Sequence, residues 1–473
     1  MTIIFTLNGA LRVLPAETPP AMTLLDWLRG PAGLTGTKEG CAEGDCGACT
    51  VVIEAPDGSR APVNACLMTV GQAHGLALRS VEGLSAPDRA PHPVQAAMLA
   101  AEATQCGFCT PGIVMSLYAH ARMGGDVHEA LAGNLCRCTG YRPILDAMAA
   151  LTAVEDAAPL CPAADVTAFG PPEHRFFLPR SLDEAVRLKR EHPGAWILAG
   201  GTDLGLRFSE HRENPAAIIC LRDVAELRGI DEGEKGLSVG AAEPYAALLD
   251  VMAGDAAFAG FAGLLRRLGS RQIRALGTLG GNLGTASPIG DALPPLLALG
   301  ARLRLAGPDG ARDLAVEDFL LGYRRNALGV GEVIARVFIP RPAPGAIFAA
   351  EKLSRRHDQD ISAIGLSLLL ERDGDVITRA RIAHGGCGPM AARAPEAEAM
   401  LQGAPFTEAQ ARAAGEALAR AITPMDDLRG TAEYRRIAAR NLMLRLYWRA
   451  ARPDAAAEIM ALPTPHAPRF IAS

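Results

Sequence analysis

Eight of the eleven cysteines fall into two groups, Cys41, Cys46, Cys49 and Cys66, then Cys106, Cys109, Cys136 and Cys138. Thiolates are ligands for soft transition metals, and their spacing narrows the choice. The first group reads Cys-x4-Cys-x2-Cys with a distant fourth cysteine, a spacing in which one tight loop wraps three thiolates around one side of a [2Fe-2S] centre. Gly40, Gly44 and Gly47 lie in that loop, where positive φ turns backbone amides inward toward bridging sulfides. The second group lies in Gln105-Cys-Gly-Phe-Cys-Thr-Pro-Gly112 and Leu135-Cys-Arg-Cys-Thr-Gly-Tyr-Arg-Pro143. Pro111 and the apolar run from Ile113 to Tyr118 predict a helix that starts at the thiolates and turns its positive end toward an anionic cluster. Disulfides, a structural zinc and unliganded buried thiols are the alternatives. The Cys136-x-Cys138 pair is awkward for tetrahedral zinc but fits one iron of a diiron cluster, and nothing marks the chain as secreted.

Two glycine segments suggest a second chemistry: Leu198-Ala-Gly-Gly-Thr-Asp-Leu204, and Leu276-Gly-Thr-Leu-Gly-Gly-Asn-Leu-Gly-Thr-Ala-Ser-Pro-Ile-Gly-Asp291. Glycines allow a backbone to approach a pyrophosphate closely, and neighbouring Thr and Ser hydroxyls add neutral donors. Neither segment is G-x-G-x-x-G, so a dinucleotide-wound sheet is not indicated. Taken singly, each also reads as an ordinary turn.

Composition bounds the answer. A chain of 473 residues holds three or four domains, and 49% apolar residues supply their cores. With 47 basic and 52 acidic residues, a net charge of −5 and no polybasic run, nucleic acid and anionic membranes are poor partners. The start of the chain reads as a hairpin turning at Asn8-Gly9 rather than as a secretory signal, and no apolar run approaches the ~18 to 20 residues of a membrane span. A soluble, cytoplasmic protein is expected.

From Thr35 to Arg142 the chain resembles the two-cluster module of the molybdenum hydroxylases, a group that includes xanthine dehydrogenase, aldehyde oxidase, nicotinate dehydrogenase and carbon monoxide dehydrogenase. The resemblance rests on Gly-Thr-Lys-Glu-Gly-Cys41, Val63-Asn-Ala-Cys66, Gln105-Cys-Gly-Phe-Cys109 and Cys136-Arg-Cys138. It implies an internal wire from a molybdopterin centre through two [2Fe-2S] clusters to a flavin. The glycine segments likewise resemble the FAD domain that follows the clusters in xanthine dehydrogenases. Carried over, that likeness puts the first pyrophosphate loop on Leu198, Ala199, Gly200, Gly201 and Thr202. It puts the second loop and its ribose contact on Thr278, Gly281, Asn282, Thr285 and Asp291, and the adenine pocket on Leu268, Ile334 and Lys352. Leu268 stands where animal enzymes have an aromatic residue. Tyr323 matches a tyrosine near the isoalloxazine, and the charged loop from Lys352 to Ser362 matches one that gates nicotinamide access. In that loop the likeness gives Asp358 and Asp360 a role in tuning the flavin, and Arg355 and Arg356 a role at phosphates. Its bland reading is a solvated surface turn.

The elements that must position these residues divide into a multidomain α+β chain. Residues 1–85 are expected to form a β-grasp, ferredoxin-like domain, and 86–153 a small helical bundle. An extended linker over 154–175 precedes a two-part α+β FAD-binding domain over 176–345 and a C-terminal α+β domain over 346–473. Ser181 and Glu184 predict a capping box, followed by a buried strand over Ala195–Ala199.

Cluster and flavin domains in this order, together with Asp358-Gln-Asp-Ile-Ser362, liken the chain to the iron-sulfur and FAD-binding small subunit of bacterial xanthine dehydrogenases. FAD exchanges electrons in pairs or singly and a [2Fe-2S] centre takes one, so such a chain converts between the two. No segment of molybdopterin-domain size remains before Ser473, so hydroxylation is expected on a molybdopterin-binding large subunit, in a dimer of heterodimers, with NAD as acceptor. The other readings are the small subunit of a molybdenum hydroxylase acting on an aldehyde or N-heterocycle, and a stand-alone iron-sulfur flavoprotein.

Overall fold

The computed structural model describes residues 2–85, 90–151, 159–162 and 165–451. The N-terminal sheet begins with the expected hairpin. Ile4–Leu7 pairs antiparallel with Ala10–Val13, and Asn8 and Gly9 both take positive φ between them, as a two-residue hairpin turn requires. Three further strands, Thr50–Glu54, Arg60–Asn64 and Ala77–Arg79, complete a five-stranded sheet in which only Ile4–Leu7 and Ala77–Arg79 run parallel. The helix Leu24–Arg29 buries Leu24, Leu25, Trp27 and Leu28, with Trp27 edge-on to Phe5.

The next unit is helical. Pro93–Ala100, Thr110–Met123, Val127–Leu131 and Arg142–Ala149 surround a core of Val94, Ile113, Met115, Leu117, Tyr118 and Ile144. The longest of these helices starts directly after Cys109 with Pro at its first turn, as the proline and the apolar run required.

The following segment departs from expectation. Part of the linker expected over 154–175 lies outside the described residues, but Ala168–Phe169 forms a strand paired with Arg175–Phe177, and Phe169 is fully buried against Phe176. Ala217–Cys220 and Trp196–Leu198 join this sheet in parallel. Its apolar side chains merge with those of the N-terminal sheet into one core, so this second sheet and the first domain are packed as a unit. The strand expected over Ala195–Ala199 shortens to Trp196–Leu198 at the sheet edge, where Trp196 is only half-buried. The capping box is half made. Ser181 accepts from the Glu184 amide at 3.2 Å, but the Glu184 carboxylate accepts from the Arg180 amide at 3.0 Å rather than from that of Ser181.

An antiparallel five-stranded sheet centred on Val333–Pro340 forms the next unit, packed on helices rich in Leu, Phe and Ala. The last unit is a four-stranded sheet of Ile347–Leu353, Ile364–Asp373, Val376–Gly385 and Ala392–Arg393, covered by Glu408–Ala421 and Ala432–Ala451. Among the described residues no single helix is long and apolar enough to cross a membrane.

Candidate functional site

The first cysteine loop folds its amides onto sulfur. Backbone N-H groups of Glu43, Asp45 and Cys46 donate to Cys41 Sγ at 3.4, 3.4 and 3.3 Å. Gly47, at φ 66°, lies so close to the helical domain that a β-carbon there would sit 2.0 Å from Gly133 O.

The eight thiols come two by two. Cys49 Sγ lies 3.4 Å from Cys66 Sγ and Cys138 Sγ 3.5 Å from Cys106 Sγ, while Cys41 interacts with Cys46 and Cys109 with Cys136. In every pair one sulfur is held as the better thiolate. The Cys46 thiol, seconded by the loop amides, brings Cys41 down to about 5, and Cys46 is pushed up in return. Cys49 is lowered by Cys66, and Cys66 is raised. The Phe108 amide and then Cys138 lower Cys106, and Cys138 is raised. Burial pushes Cys109 up to about 12, while the Thr139 hydroxyl and amides overcome burial to lower Cys136. Cysteine binds a metal as thiolate, so the lowered member of each pair is the readier ligand.

This pairing discriminates among the alternatives. Among the described residues no three His, Cys, Asp or Glu side chains converge on one point, against a mononuclear zinc. Two tetrahedral irons need two thiolates each, and thiolates sharing one tetrahedral metal at bonds of ~2.3 Å lie ~3.8 Å apart. The donor sets therefore fit two diiron clusters. The first set is half-buried to buried, whereas Cys106 and Cys138 are exposed beside the exposed apolar Phe108 and Leu135. A backbone hydrogen bond joins the two loops: Leu135 N donates to Cys46 O at 2.9 Å, and Leu135 is bonded to Cys136. Tyr141 stiffens the second loop, its hydroxyl accepting from Cys136 N and donating to Asn134 O, both at 2.8 Å.

The two glycine segments meet. A β-carbon on Gly200 would lie 1.7 Å from Leu276 O, so only glycine lets Leu198–Thr202 touch the start of the second segment. Thr278 caps Leu279–Thr285 by accepting from Gly281 N at 2.9 Å, and Thr285 Oγ1 donates to Asp203 at 3.4 Å. Two buried polar atoms near this junction have no partner among the described residues, Asn282 Oδ1 and the Tyr245 hydroxyl. Burial and then the nearby Asp291 raise the Tyr245 phenol, so it stays a neutral donor. Orphaned groups beside two glycine turns fit a polar ligand such as a pyrophosphate.

Asp291 sits at the end of the second segment, accepting from Lys352 Nζ at 2.6 Å and Ser362 Oγ at 2.5 Å. Lys352 therefore does not belong to a solvated turn. It lies in the strand Ile347–Leu353 with its side chain 2% exposed. Ile334 and Leu268 pack on the adjoining core. The charged loop proper follows. Asp360 accepts from Arg356 N at 2.8 Å and Ile361 N at 3.0 Å, while Arg355 and Tyr323 are exposed. Asp358 accepts from or pairs with the His357 ring at 3.0 Å. Arg267, to which sequence reading gave no role, anchors the loop by donating to Lys352 O, Ser354 Oγ and His357 O at 2.8, 3.2 and 3.4 Å.

A carbon monoxide dehydrogenase structure from Hydrogenophaga pseudoflava is 31% identical, with a TM-score of 0.55, and the match takes in 58% of this chain and 96% of that one. The chain belongs to the molybdenum hydroxylase family. Quinoline 2-oxidoreductase from Pseudomonas putida 86 matches at 28% identity, over 60% of this chain and 98% of that one, with a TM-score of 0.54. Family models place a 2Fe-2S iron-sulfur cluster binding domain on residues 6–71, a [2Fe-2S] binding domain on 80–149, a FAD binding domain in molybdopterin dehydrogenase on 169–342, and a CO dehydrogenase flavoprotein C-terminal domain on 349–450. Xanthine dehydrogenase 2 of Arabidopsis thaliana is 31% identical over 85% of this chain, and xanthine dehydrogenase/oxidase of Mus musculus 32% identical over 81%. The chain spans about a third of these relatives, 36% and 34% of their lengths. Its iron-sulfur and FAD domains resemble the electron-transfer part of such hydroxylases.

Proposed function

We propose that the chain is the electron-transfer subunit of an NAD-dependent xanthine dehydrogenase, carrying electrons from a molybdopterin-binding partner through two [2Fe-2S] clusters to FAD. The observation that carries this reading is the pairing of the eight thiols two by two, joined to a flavin-type glycine junction. Xanthine dehydrogenases matching across 81–86% of the chain support the substrate class.

Cys41, Cys46, Cys49 and Cys66 hold one cluster, and Cys106, Cys109, Cys136 and Cys138 the other. Bound FAD supplies the step between single electrons and a hydride. This chain's residues bind and orient. The loop of Leu198, Ala199, Gly200, Gly201 and Thr202 and the segment carrying Thr278, Gly281, Asn282 and Thr285 take the pyrophosphate. Asp291, fixed by Lys352 and Ser362, presents its carboxylate to the ribose, and Leu268 and Ile334 supply apolar packing for the adenine. Exposed Tyr323 and Arg355 flank the entry for NAD, with Asp360 holding the loop in shape. Exposed Cys106 and Cys138, framed by Phe108 and Leu135, face the molybdopterin partner, in a dimer of such heterodimers.

A second reading, a hydroxylase of another N-heterocycle, draws on the likeness to quinoline 2-oxidoreductase. Co-purifying the partner and assaying hypoxanthine, xanthine and quinoline separates the two. Turnover of purine alone supports the first, and turnover of quinoline alone the second.

A further inference from the structure

The flavin half reaches into the seam between the two cluster domains at two places, and at each the probe is a glutamine amide. Gln272, on the helical turn Arg271–Arg274, is 1% exposed. Its two Nε2 protons are shared among Thr50 Oγ1 at 3.2 Å on the first cluster domain, and Ser116 Oγ and Asn134 Oδ1, both at 3.1 Å, on the second. Thr50 directly follows Cys49, and Asn134 lies two residues before Cys136. The acceptors are arranged for this amide. Thr50 Oγ1 donates its own proton to Gly47 O at 2.7 Å and Ser116 Oγ to Asn134 Oδ1 at 2.6 Å, which leaves their lone pairs for Gln272. Asn134 Nδ2 closes the ring on Gly47 O at 3.1 Å. The backbone makes room as well. A β-carbon on Gly133 would meet Gln272 Oε1 at 2.2 Å.

Gln359 repeats the arrangement from the charged flavin loop. Its Nε2 donates to Asp45 O and to Ala132 O, both at 2.9 Å, one carbonyl from each cluster domain. The residue holds φ at 48° to do so, a conformation uncommon for a side chain of this length. Its neighbour Arg356 reaches Asp45 Oδ2 at 3.4 Å. Next in sequence to residues that the glutamines touch, Asn134 and Asp45, is a direct contact of the cluster loops, Leu135 N to Cys46 O.

We propose that Gln272 and Gln359 are positioning residues, a two-point clamp by which the flavin half fixes the cluster domains against each other and so sets the separation and coupling of the two iron-sulfur centres. Either glutamine alone spans both domains with a single NH2 group, which neither a carboxylate nor a thioether does. The electronic consequence rests on the two-cluster reading; the mechanical one does not. Because Gln359 shares its loop with Asp360 and Ser362, a movement of that flavin loop is also a movement at the cluster seam.

The test uses the full chain as purified, with Gln359→Met, Gln272→Met and the double variant, methionine keeping length and losing the donors. Hydrogen exchange of the Leu135 amide reads the seam directly. Loss of one or both sets of hydrogen bonds is expected to speed it by about tenfold or more, while amides inside the strand Thr50–Glu54 keep their rates. In the dithionite-reduced chain, the magnetic splitting between the two clusters in the low-temperature electron paramagnetic resonance spectrum should shrink, with each cluster's own signal and the iron content unchanged. Unchanged exchange at Leu135 and unchanged splitting in folded Gln359→Met overturn the clamp, and that single loop variant decides the matter if Gln272→Met does not fold. A chain without iron would defeat the two-cluster reading instead, and the exchange rates would still judge the clamp.

Discussion

Lys352 Nζ lies 2.6 Å from Asp291 Oδ2, in an ion pair whose side chains are 2% and 11% exposed. The pair ties the flavin-loop strand Ile347–Leu353 to the end of the second glycine segment. Ser362 Oγ holds the other carboxylate oxygen, and Arg267 O the lysine. Removing one member of such a pair strands the other charge, a cost of about 3 to 5 kcal/mol. Asp291→Ala should therefore lower the melting temperature and the FAD-to-protein ratio together, with Asp291→Asn milder in both. Full flavin content in Asp291→Ala, measured by absorbance after gel filtration, would remove Asp291 from the site.

The thiol pairs predict which cysteines matter. Cys136→Ser or Cys138→Ser should cut iron from ~4 to ~2 per chain and remove one of two paramagnetic signals while leaving FAD bound. Cys161→Ser, Cys220→Ser and Cys387→Ser should leave iron unchanged, because these thiols stand apart from the two sets. Zinc in place of iron on metal analysis would contradict the assignment.

His384 gives a pH dependence. Burial in the strand Val376–Gly385 lowers its imidazole to about 4, and Nδ1 has no partner among the described residues. The folded chain keeps this ring neutral while the unfolded chain protonates it near its ordinary 6.5. Stability is thus complete above that value and falls as pH drops from 6.5 toward 4, by about 3 kcal/mol from this group. His384→Leu should lose less stability than the native chain between pH 7 and pH 4.5, as read by urea unfolding. Equal losses would show that the ring is not the source.

Much of this was legible from residue order because the chemistry is local. The Asn8-Gly9 turn and the helix begun by Pro111 depend on neighbours in sequence, and both appear as read, while the two cysteine spacings fall in the two 2Fe-2S binding domains. What escaped depends on distant partners. Nothing around Gln272 signals that its amide will meet Thr50, Ser116 and Asn134, residues 138 to 222 positions away. Lys352 looked like part of a charged turn because its partner Asp291 is 61 positions off. The stretch over 154–175 looked like a pure linker because Phe169 finds its core only once Phe176 and His74 are beside it. Glu184 left the capping box because the Arg180 amide competed for its carboxylate.

The central claim, that this chain relays electrons and leaves hydroxylation to a partner, is tested most directly by anaerobic addition of NADH to the isolated polypeptide. Absorbance and paramagnetic resonance should show the flavin and both iron-sulfur centres reduced, with electrons passing on to an added one-electron acceptor and no consumption of hypoxanthine or xanthine. Clusters that stay oxidised under NADH, or purine oxidation by the chain alone, would contradict it.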